Sequence, residues 1–481
     1  NDRSGMAGIK RKVREISRAY QVEKMLSKDQ ILELYLNLIF MGGDVYGVEL
    51  GSQYYFNKSC TELDLAESAF LAGINHSPNN YNPFTETDNI EKINKRTKTV
   101  LGKMLELGRI TEEEYNQAIE EIDSGLKFEK GNTTYNNNMS YLAKAALNQV
   151  VEQYMEDKEV TRDLAETKIY GGGLKIYTTQ DSNIQSVVEE IYKDNDYIMS
   201  GREKASDGNL KNNHTQSAMV IIDHKTGKVV ACVGGMGDDV DSNGLNRATQ
   251  AQRQPGSAMK PIASIAPALQ SGIITAATVY NESSTYFGKY HPTSSNRGLI
   301  TVRKAIEISA NTTEVKIMSE LGPANSIEYL RKMGITSLIT GKENPDQNDE
   351  NLAMVLGGIT IGISPLEMAG AYSTIANDGT YISPTFYTRV EDSSGETILE
   401  PNQTKTSVLS EGNSYIAKSI LTGPISGSEG TATYCRIPNH DAGGKTGTTT
   451  DNKDRWFCGF TSYYTAATWF GYDNPEKVVS S

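Results

Sequence analysis

The stretch RQPGSAMKP, residues 253–261, sets a serine directly after a Pro-Gly pair and a lysine three residues later. Read as local structure, Pro255-Gly256-Ser257 is a turn feeding a helix N-terminus, where serine is a favoured cap. Read as chemistry, the spacing puts Ser257 and Lys260 on one helix face, so the amine can lie beside the hydroxyl. Serine is a poor nucleophile near neutral pH unless a base takes its proton. A lysine whose proton affinity is lowered by burial or by nearby positive charge can be that base. The chemical reading needs a largely enclosed site, whose walls must come from the rest of the chain.

Two further patterns follow in order. Ser-x-Asn occurs as Ser77-Pro-Asn79, Ser294-Ser-Asn296 and Ser309-Ala-Asn311, so by itself it carries little. Lys-Thr-Gly occurs at 225–227 and at 445–447. The first copy joins two β-rich runs, SAMVIID (217–223) and KVVACVGG (228–235), and reads as a hairpin turn. The second continues as GGKTGTTTDNKDRWFCGF (443–460), where glycines and small hydroxyl residues let a substrate backbone approach a strand.

The chain has 481 residues, too many for one ordinary core, so two or three domains are expected. Charged residues make up 22% and hydrophobic ones 37%, the balance of a folded soluble body. A net charge of -13 argues against bulk nonspecific binding to nucleic acid. Cys60, Cys232, Cys435 and Cys458 lie far apart, and none of the five histidines forms an HExxH pattern, so no metal site is expected. Free buried thiols are the expectation, with a Cys435–Cys458 disulfide as the alternative. No apolar run approaches the ~20 residues that span a bilayer, and no signal peptide is visible. Because the chain opens almost at once on an amphipathic basic segment, an anchor is expected ahead of Asn1.

Periodicity divides the chain. Residues 9–40 read as helices, with Ser27, Asp29 and Gln30 as a cap before ILELYLNLIF. ELDLAESAFLAGI and TVLGKMLELG, the latter ending at Gly108, add two more, so the first ~120 residues are mainly α. GNTTYNNNMS, residues 131–140, reads as a connector. YGGGLKIYTTQD (170–181) joins a glycine turn to a short strand, and IQSVVEEIY returns to helix. Helical stretches are expected around 257–271, 301–319 and 364–377, and β structure at YTAATWFGY. From residues alone a mixed sheet flanked by helices is the economical fold for 216–481, with NPDQNDEN and EDSSGETILEPNQTKTS as surface loops or small excursions.

The ordered set RQPGSAMKP, SANT and GGKTGTT resembles the active site of penicillin-binding proteins, whose signatures are S-x-x-K, a Ser-x-Asn form and K-T-G. NRATQAQRQPGSAMKPIA and GISPLEMAGAYSTIANDGTYISP are similar to transpeptidase sequence over long stretches. Ala310 stands where the related β-lactamases carry Asp. The front of the chain, RKVRE (11–15), SKDQILELYLN and ELDLAESAFLAGINHSPNNYNPF, is similar to the later motifs of peptidoglycan glycosyltransferases. Together these resemble a class A (bifunctional) penicillin-binding protein.

The resemblance implies a multidomain fold. An α-helical, lysozyme-like glycosyltransferase remnant spans 1–125 and an interdomain linker region spans 126–215. An α/β penicillin-binding/β-lactamase-like transpeptidase domain spans 216–481, with an antiparallel central sheet flanked by helices and a final helix missing. It implies that Ser257 attacks the penultimate D-alanine carbonyl of a stem peptide ending in D-Ala-D-Ala, releasing D-alanine and leaving an acyl-enzyme. Lys260 would be the base, Ser309 a proton relay, and Asn311 a holder of Lys260 and the substrate amide. Lys445, Thr446, Gly447 and Thr448 would receive the substrate backbone and carboxylate, and the Ser257 and Thr448 N–H groups would form the oxyanion hole.

In the front region Arg11 and Lys12 would meet a lipid-linked pyrophosphate, although by pattern alone they read as a solvated helix face. Glu15 matches the second acid of the glycan site. The earlier motifs, with the first acid, have no counterpart after Asn1, so this chain alone is expected not to polymerise glycan, whereas its full-length form would do so from lipid II. No cofactor is expected for transpeptidation; a divalent metal ion is implied for the glycosyltransferase half. Expected partners are stem peptides, lipid II or a glycan strand, and β-lactams, at the extracytoplasmic face of a bacterial membrane. The alternatives are a carboxypeptidase or β-lactamase passing the acyl group to water, and a noncatalytic β-lactam-binding scaffold.

Overall fold

The computed structural model describes residues 26–42, 45–84, 89–131, 139–171, 173–198, 200–204, 210–237 and 244–474, with a few isolated positions besides. Its contacts divide the chain into two units. One takes Asn1–Asn137, Lys158–Lys175 and Glu391–Glu396; the other takes Asn138–Asp157, Ile176–Val390 and Thr397–Ser481.

The first unit is helical. Helices α1 (Lys28–Leu38), α2 (Val48–Phe56), α3 (Leu65–Ile74), α4 (Ile90–Glu106) and α5 (Glu112–Ser124) carry it. Three of them begin at capping boxes, Ser27 with Gln30, Asp64 with Glu67 and Thr111 with Glu114, each satisfying backbone N–H groups that a helix start leaves open. The expected helix start at Ser27 is therefore present, and the helix ending near Gly108 stops at Glu106, with Gly108 at φ +64°. Tyr54, Tyr55, Phe56 and Phe70 form an aromatic core, and the Tyr55 hydroxyl donates to the Met41 carbonyl at 2.7 Å. Among the described residues no helix is long and apolar enough to cross a membrane.

The second unit is built on a five-stranded sheet. Its strands are β1 (Gln216–Asp223), β2 (Lys228–Val233), β3 (Gly443–Thr448), β4 (Asp454–Phe460) and β5 (Tyr464–Gly471). The order is β3-β4-β5-β1-β2 and every pairing is antiparallel, so the mixed sheet read from residues alone is corrected to an antiparallel one. The reason is connectivity: β1–β2 and β3–β4–β5 are joined by short turns, which antiparallel neighbours allow and parallel ones do not. The β1–β2 turn is the first Lys-Thr-Gly copy, with Gly227 at φ +74° and Lys225 paired to Asp378 at 2.9 Å.

Residues 126–215, expected as a linker region, are instead largely folded and shared between the two units. Helix α6 (Tyr141–Lys158) buries Leu142, Ala146, Val150 and Val151, and its Gln149 accepts from the Phe386 N–H at 2.8 Å. Helix α7 (Ser182–Lys193) covers the sheet edge. Gln185 accepts from the Cys232 N–H at 2.9 Å and donates to the Cys232 carbonyl at 3.1 Å, closing backbone groups that an edge strand would otherwise expose. Most of the connector at 131–140 lies outside the described residues. Helices α8 (Val302–Glu307), α9 (Asn311–Leu321) and α10 (Pro365–Ala376) complete the parts that shape the cleft. The helix expected across 301–319 is thus two, broken at 308–310.

Candidate active site

Ser257 does not cap a helix. Gly256–Met259 is a tight 3₁₀ turn with Pro255 at its N-cap position, followed by a wide π-type turn over Pro261–Ile265. Among the described residues the half-buried Ser257 hydroxyl has no hydrogen-bond partner. In a 3₁₀ turn residues i and i+3 eclipse, so Lys260 follows Ser257 on the same side of the turn, its N–H donating to the Ser257 carbonyl.

Close backbone approach fixes the turn against β3. Gly256 has φ +55°, and a Cβ there would lie 2.6 Å from the Thr448 carbonyl oxygen. A Cβ on Gly447 would lie 2.1 Å from the Pro255 carbonyl oxygen. Only glycine at both places lets the serine turn rest on the strand. Three anchors hold the arrangement. Trp456 Nε1 donates to Gln254 O at 3.0 Å and the Tyr372 hydroxyl to Ala258 O at 2.7 Å. Arg253 pairs with Asp454 at 2.7 Å, and Asp454 also accepts from Trp469 Nε1 at 2.9 Å.

Lys260 is fully buried and aims its amine at the 309–311 turn. Its Nζ donates to Asn311 Oδ1 at 2.7 Å, Ser309 O at 2.8 Å, Ala310 O at 3.0 Å and Ser309 Oγ at 3.3 Å. Ser309 sits at φ +58°, a region a non-glycine residue enters only when its surroundings demand it. That backbone twist turns both its carbonyl and its hydroxyl onto the lysine. Among the described residues the Ser257 and Lys260 side chains make no hydrogen bond to each other, and the Lys260 amine is engaged by the 309–311 turn instead.

Lys445 is also fully buried, its Nζ donating to Thr446 O at 3.1 Å. Alternation along β3 turns Thr446 and Thr448 to the other face, half-buried and exposed respectively, and Gly447 leaves the strand bare between them. Thr446 donates to the Thr431 hydroxyl at 3.0 Å. A cleft of about 390 Å³ opens above, lined by Ser257, Asn311 and Thr448 together with Tyr290, His291 and Gly357. The structure therefore gathers Ser257, Lys260, Ser309, Asn311, Lys445, Thr446, Gly447 and Thr448 in one place.

Electrostatics follow from burial. Loss of solvent pushes Lys260 down to about 8, against the opposing pull of Glu314 and Glu282. Burial, reinforced by the Lys260 charge, holds Lys445 well below the ordinary lysine range. Burial pushes the Glu314 carboxyl up to about 7, with Lys260 pulling it back. Glu314 was missed by sequence reasoning, although its place three residues after Asn311 was a signal of sorts.

Other matches to the patterns lie elsewhere. Ser-x-x-Lys also occurs at Ser124–Lys127, but Ser124 ends α5, is exposed, and donates to the Glu121 carbonyl at 2.8 Å. Ser294 instead donates to the Glu282 carbonyl at 3.2 Å, and Ser77 precedes a short 3₁₀ turn of the first unit. Lys12 is exposed, and Arg11 and Glu15 lie outside the described residues. All four cysteines are free thiols; Cys232 and Cys458 are buried, Cys60 and Cys435 half-buried. Among the described residues no group of three or more His, Cys, Asp or Glu could hold a metal ion.

A buried amine behind an unbonded serine, on a glycine-bordered antiparallel strand, defines a serine acyl-transfer site, and comparison with known proteins agrees. Residues 217–478 match the penicillin binding protein transpeptidase domain family and residues 3–105 the transglycosylase family. Penicillin-binding protein 1A of Clostridium perfringens is 38% identical over 98% of this chain and 71% of its own length. The Clostridium botulinum protein of the same name is 38% identical over 99% of this chain and 58% of its own. Among solved structures, penicillin-binding protein 1A from Haemophilus influenzae shares the fold over 95% of this chain and 82% of its own (TM-score 0.66, 23% identity). The PonA1 protein of Mycobacterium tuberculosis, in complex with penicillin V, aligns over 69% of this chain and 85% of its own (TM-score 0.57, 25% identity). The chain belongs to the class A penicillin-binding proteins and carries their serine-type transpeptidase domain behind a transglycosylase-family region.

Proposed function

We propose that this chain cross-links peptidoglycan through an acyl-enzyme on Ser257. Lys260 Nζ takes the Ser257 proton as Oγ bonds to the penultimate D-alanine carbonyl carbon of a D-Ala-D-Ala stem. The tetrahedral oxyanion rests on the Ser257 and Thr448 N–H groups, a contribution of about 100-fold or more per donor. Ser309 passes a proton to the departing D-alanine amine. An amine of a neighbouring strand then attacks the ester, forming the new amide and returning the proton to Ser257 through Lys260. Thr446 and Thr448 receive the substrate carboxylate, with Lys445 as the positive charge behind them and Gly447 leaving room for the substrate backbone.

The observation that carries this reading is the set of four acceptors around buried Lys260. An ammonium has three protons for them, and a neutral amine fewer. Ser309 Oγ is the neighbour that can reverse and donate when the lysine loses its proton, which suits a relay. No cofactor enters these steps. The transglycosylase-family front region would serve glycan polymerisation from lipid II, with Arg11 and Lys12 on the pyrophosphate and Glu15 as an acid of that site. The protein would work at the extracytoplasmic face of the membrane.

A β-lactam is a false donor for the same pocket, which gives the test. Incubation with a penicillin followed by intact mass and peptide mapping should give a long-lived adduct on Ser257, abolished by Lys260→Ala. Rapid turnover of the adduct would point to a hydrolase, and absence of any adduct to a noncatalytic scaffold.

A further inference from the structure

The wall behind Ser257 holds one acid more than the reaction above uses. Glu314, in the first turn of α9, is completely buried. Its Oε2 lies 2.5 Å from the Ser264 hydroxyl, which also lies 2.8 Å from the Lys260 carbonyl oxygen. Ser264 has a single proton to share between those two oxygens. Glu314 Oε1 has no hydrogen-bond partner, and no ion pair joins Glu314 to either buried lysine among the described residues. A carboxylate so placed is poorly solvated, and its charge reaches other groups across a medium of low polarity.

The charged and titratable groups that share the pocket come from every side of it. Lys260 comes from the serine turn, Lys445 from β3, and Glu282 and Tyr280 from the strand Val279–Glu282. Glu282 is engaged elsewhere: it accepts from Thr313 N and Oγ1 at 2.6 and 2.7 Å, and from Ser294 Oγ and Ser295 N at 3.4 and 3.3 Å. Tyr280 donates to Glu320 at 2.9 Å. Glu314 has no such shell, so its charge is felt chiefly by the two lysines.

We propose that Glu314 is a positioning residue for acyl transfer: its buried carboxylate, held by Ser264, sets the proton affinity of Lys260 and so the pH above which Ser257 is activated. The inference rests on the Ser257 acyl-enzyme reading. Glu314 bonds to no reacting atom and keeps its own protonation state during the step. It stabilises the ammonium that Lys260 becomes when it takes the Ser257 proton. Lys260 and Glu314 titrate close together, at about 8 and about 7, so the acid limb of the reaction belongs to the pair.

The test is the rate of acylation by a fluorescent penicillin as a function of pH, for the wild-type chain, Glu314→Gln and Ser264→Ala. Gln keeps the size of the side chain and a hydrogen bond to Ser264 but carries no charge, so the lysine loses its proton more readily. The acid limb should move to lower pH by about one unit. Ser264→Ala removes the hydroxyl that solvates the carboxylate, makes it harder to ionise, and should move the limb the same way by less. A purely structural Glu314 would change the plateau and leave the limb in place; coincident limbs for wild type and a folded variant overturn the proposal. If Glu314→Gln does not fold, as judged by its melt, Ser264→Ala decides. A wild type that takes no label at Ser257 refutes the functional reading and this inference with it, whereas a labelled wild type with coincident limbs refutes this inference alone.

Discussion

Gly447→Ala isolates the contact that brings the serine turn to its strand. Gly447 does not have a positive φ, so alanine adds no backbone strain and its effect is steric. The new methyl would lie 2.1 Å from the Pro255 carbonyl oxygen and 3.0 Å from the Ala258 and Trp456 Cβ atoms, where ordinary contact begins near 3.4 Å. The worst overlap is backbone against methyl, with no rotamer to relieve it. The turn carrying Ser257 and the strand carrying Thr448 must therefore part by about 1 Å, a displacement that costs about 100-fold when it falls between reacting groups. Overpacking itself costs about 1–3 kcal/mol, which in a unit of this size lowers Tm by about 5 °C. Acylation by a penicillin, followed as a second-order rate beside a thermal melt, should show both losses. Gly102→Ala is the control, since a Cβ there meets nothing within 4 Å; it should leave acylation unchanged. Acylation of Gly447→Ala within about threefold of wild type, less than 1 kcal/mol of barrier, would refute the claim that this contact holds the site together.

Asp454→Ala takes the carboxylate from Arg253, which keeps the Tyr472 and Asp473 carbonyls as acceptors, and the acceptor from the Trp469 indole, and should destabilise the second unit by about 3 kcal/mol, read as a lower urea midpoint at unchanged slope. Glu314 also makes a stability prediction. Its folded-state proton affinity exceeds the unfolded value, so its contribution is fully present below pH 4.5 and is lost as pH rises through about 7. Melts across that window should show wild type losing stability relative to Glu314→Gln as pH rises, and a flat difference would contradict the buried-acid assignment.

The strands read at 217–223 and 228–235, the cap at Ser27 and the ordered trio of serine, Ser-x-Asn and Lys-Thr-Gly were legible because each depends on residues close together in the chain. What escaped reading depends on distant partners. Ser257 looks like a helix cap until Gly256, at positive φ, is pressed on Thr448, nearly 200 residues away, and the turn tightens to 3₁₀. The break at 308–310 is invisible in the apolar pattern, since Ser309 takes its left-handed conformation to present oxygens to Lys260. Glu314 reads as an ordinary acid in a first helical turn, favourable to the helix dipole, and only the packing of α9 on the Ser264 segment buries it. The stretch 126–215 looks like a linker because its docking residues, Gln149 and Gln185, are polar and work by closing backbone hydrogen bonds.

These features share one logic. The cleft is lined by hydroxyls and an amide, on Ser257, Thr448 and Asn311, while the amines of Lys260 and Lys445 are fully buried. Burying two ammonium groups in one wall is unfavourable, and their mutual repulsion adds to the cost. Yet that cost is what brings Lys260 down to about 8, where an exposed lysine would hold its proton far more tightly. The wall is also closely packed. Glycines at 256, 357 and 447 make it so by letting backbone lie on backbone without side chains between. Basicity is thereby set by buried groups and fit by exposed ones. The rim formed by Tyr290 and His291 can be reshaped for a different acyl donor while the lysine keeps its four acceptors.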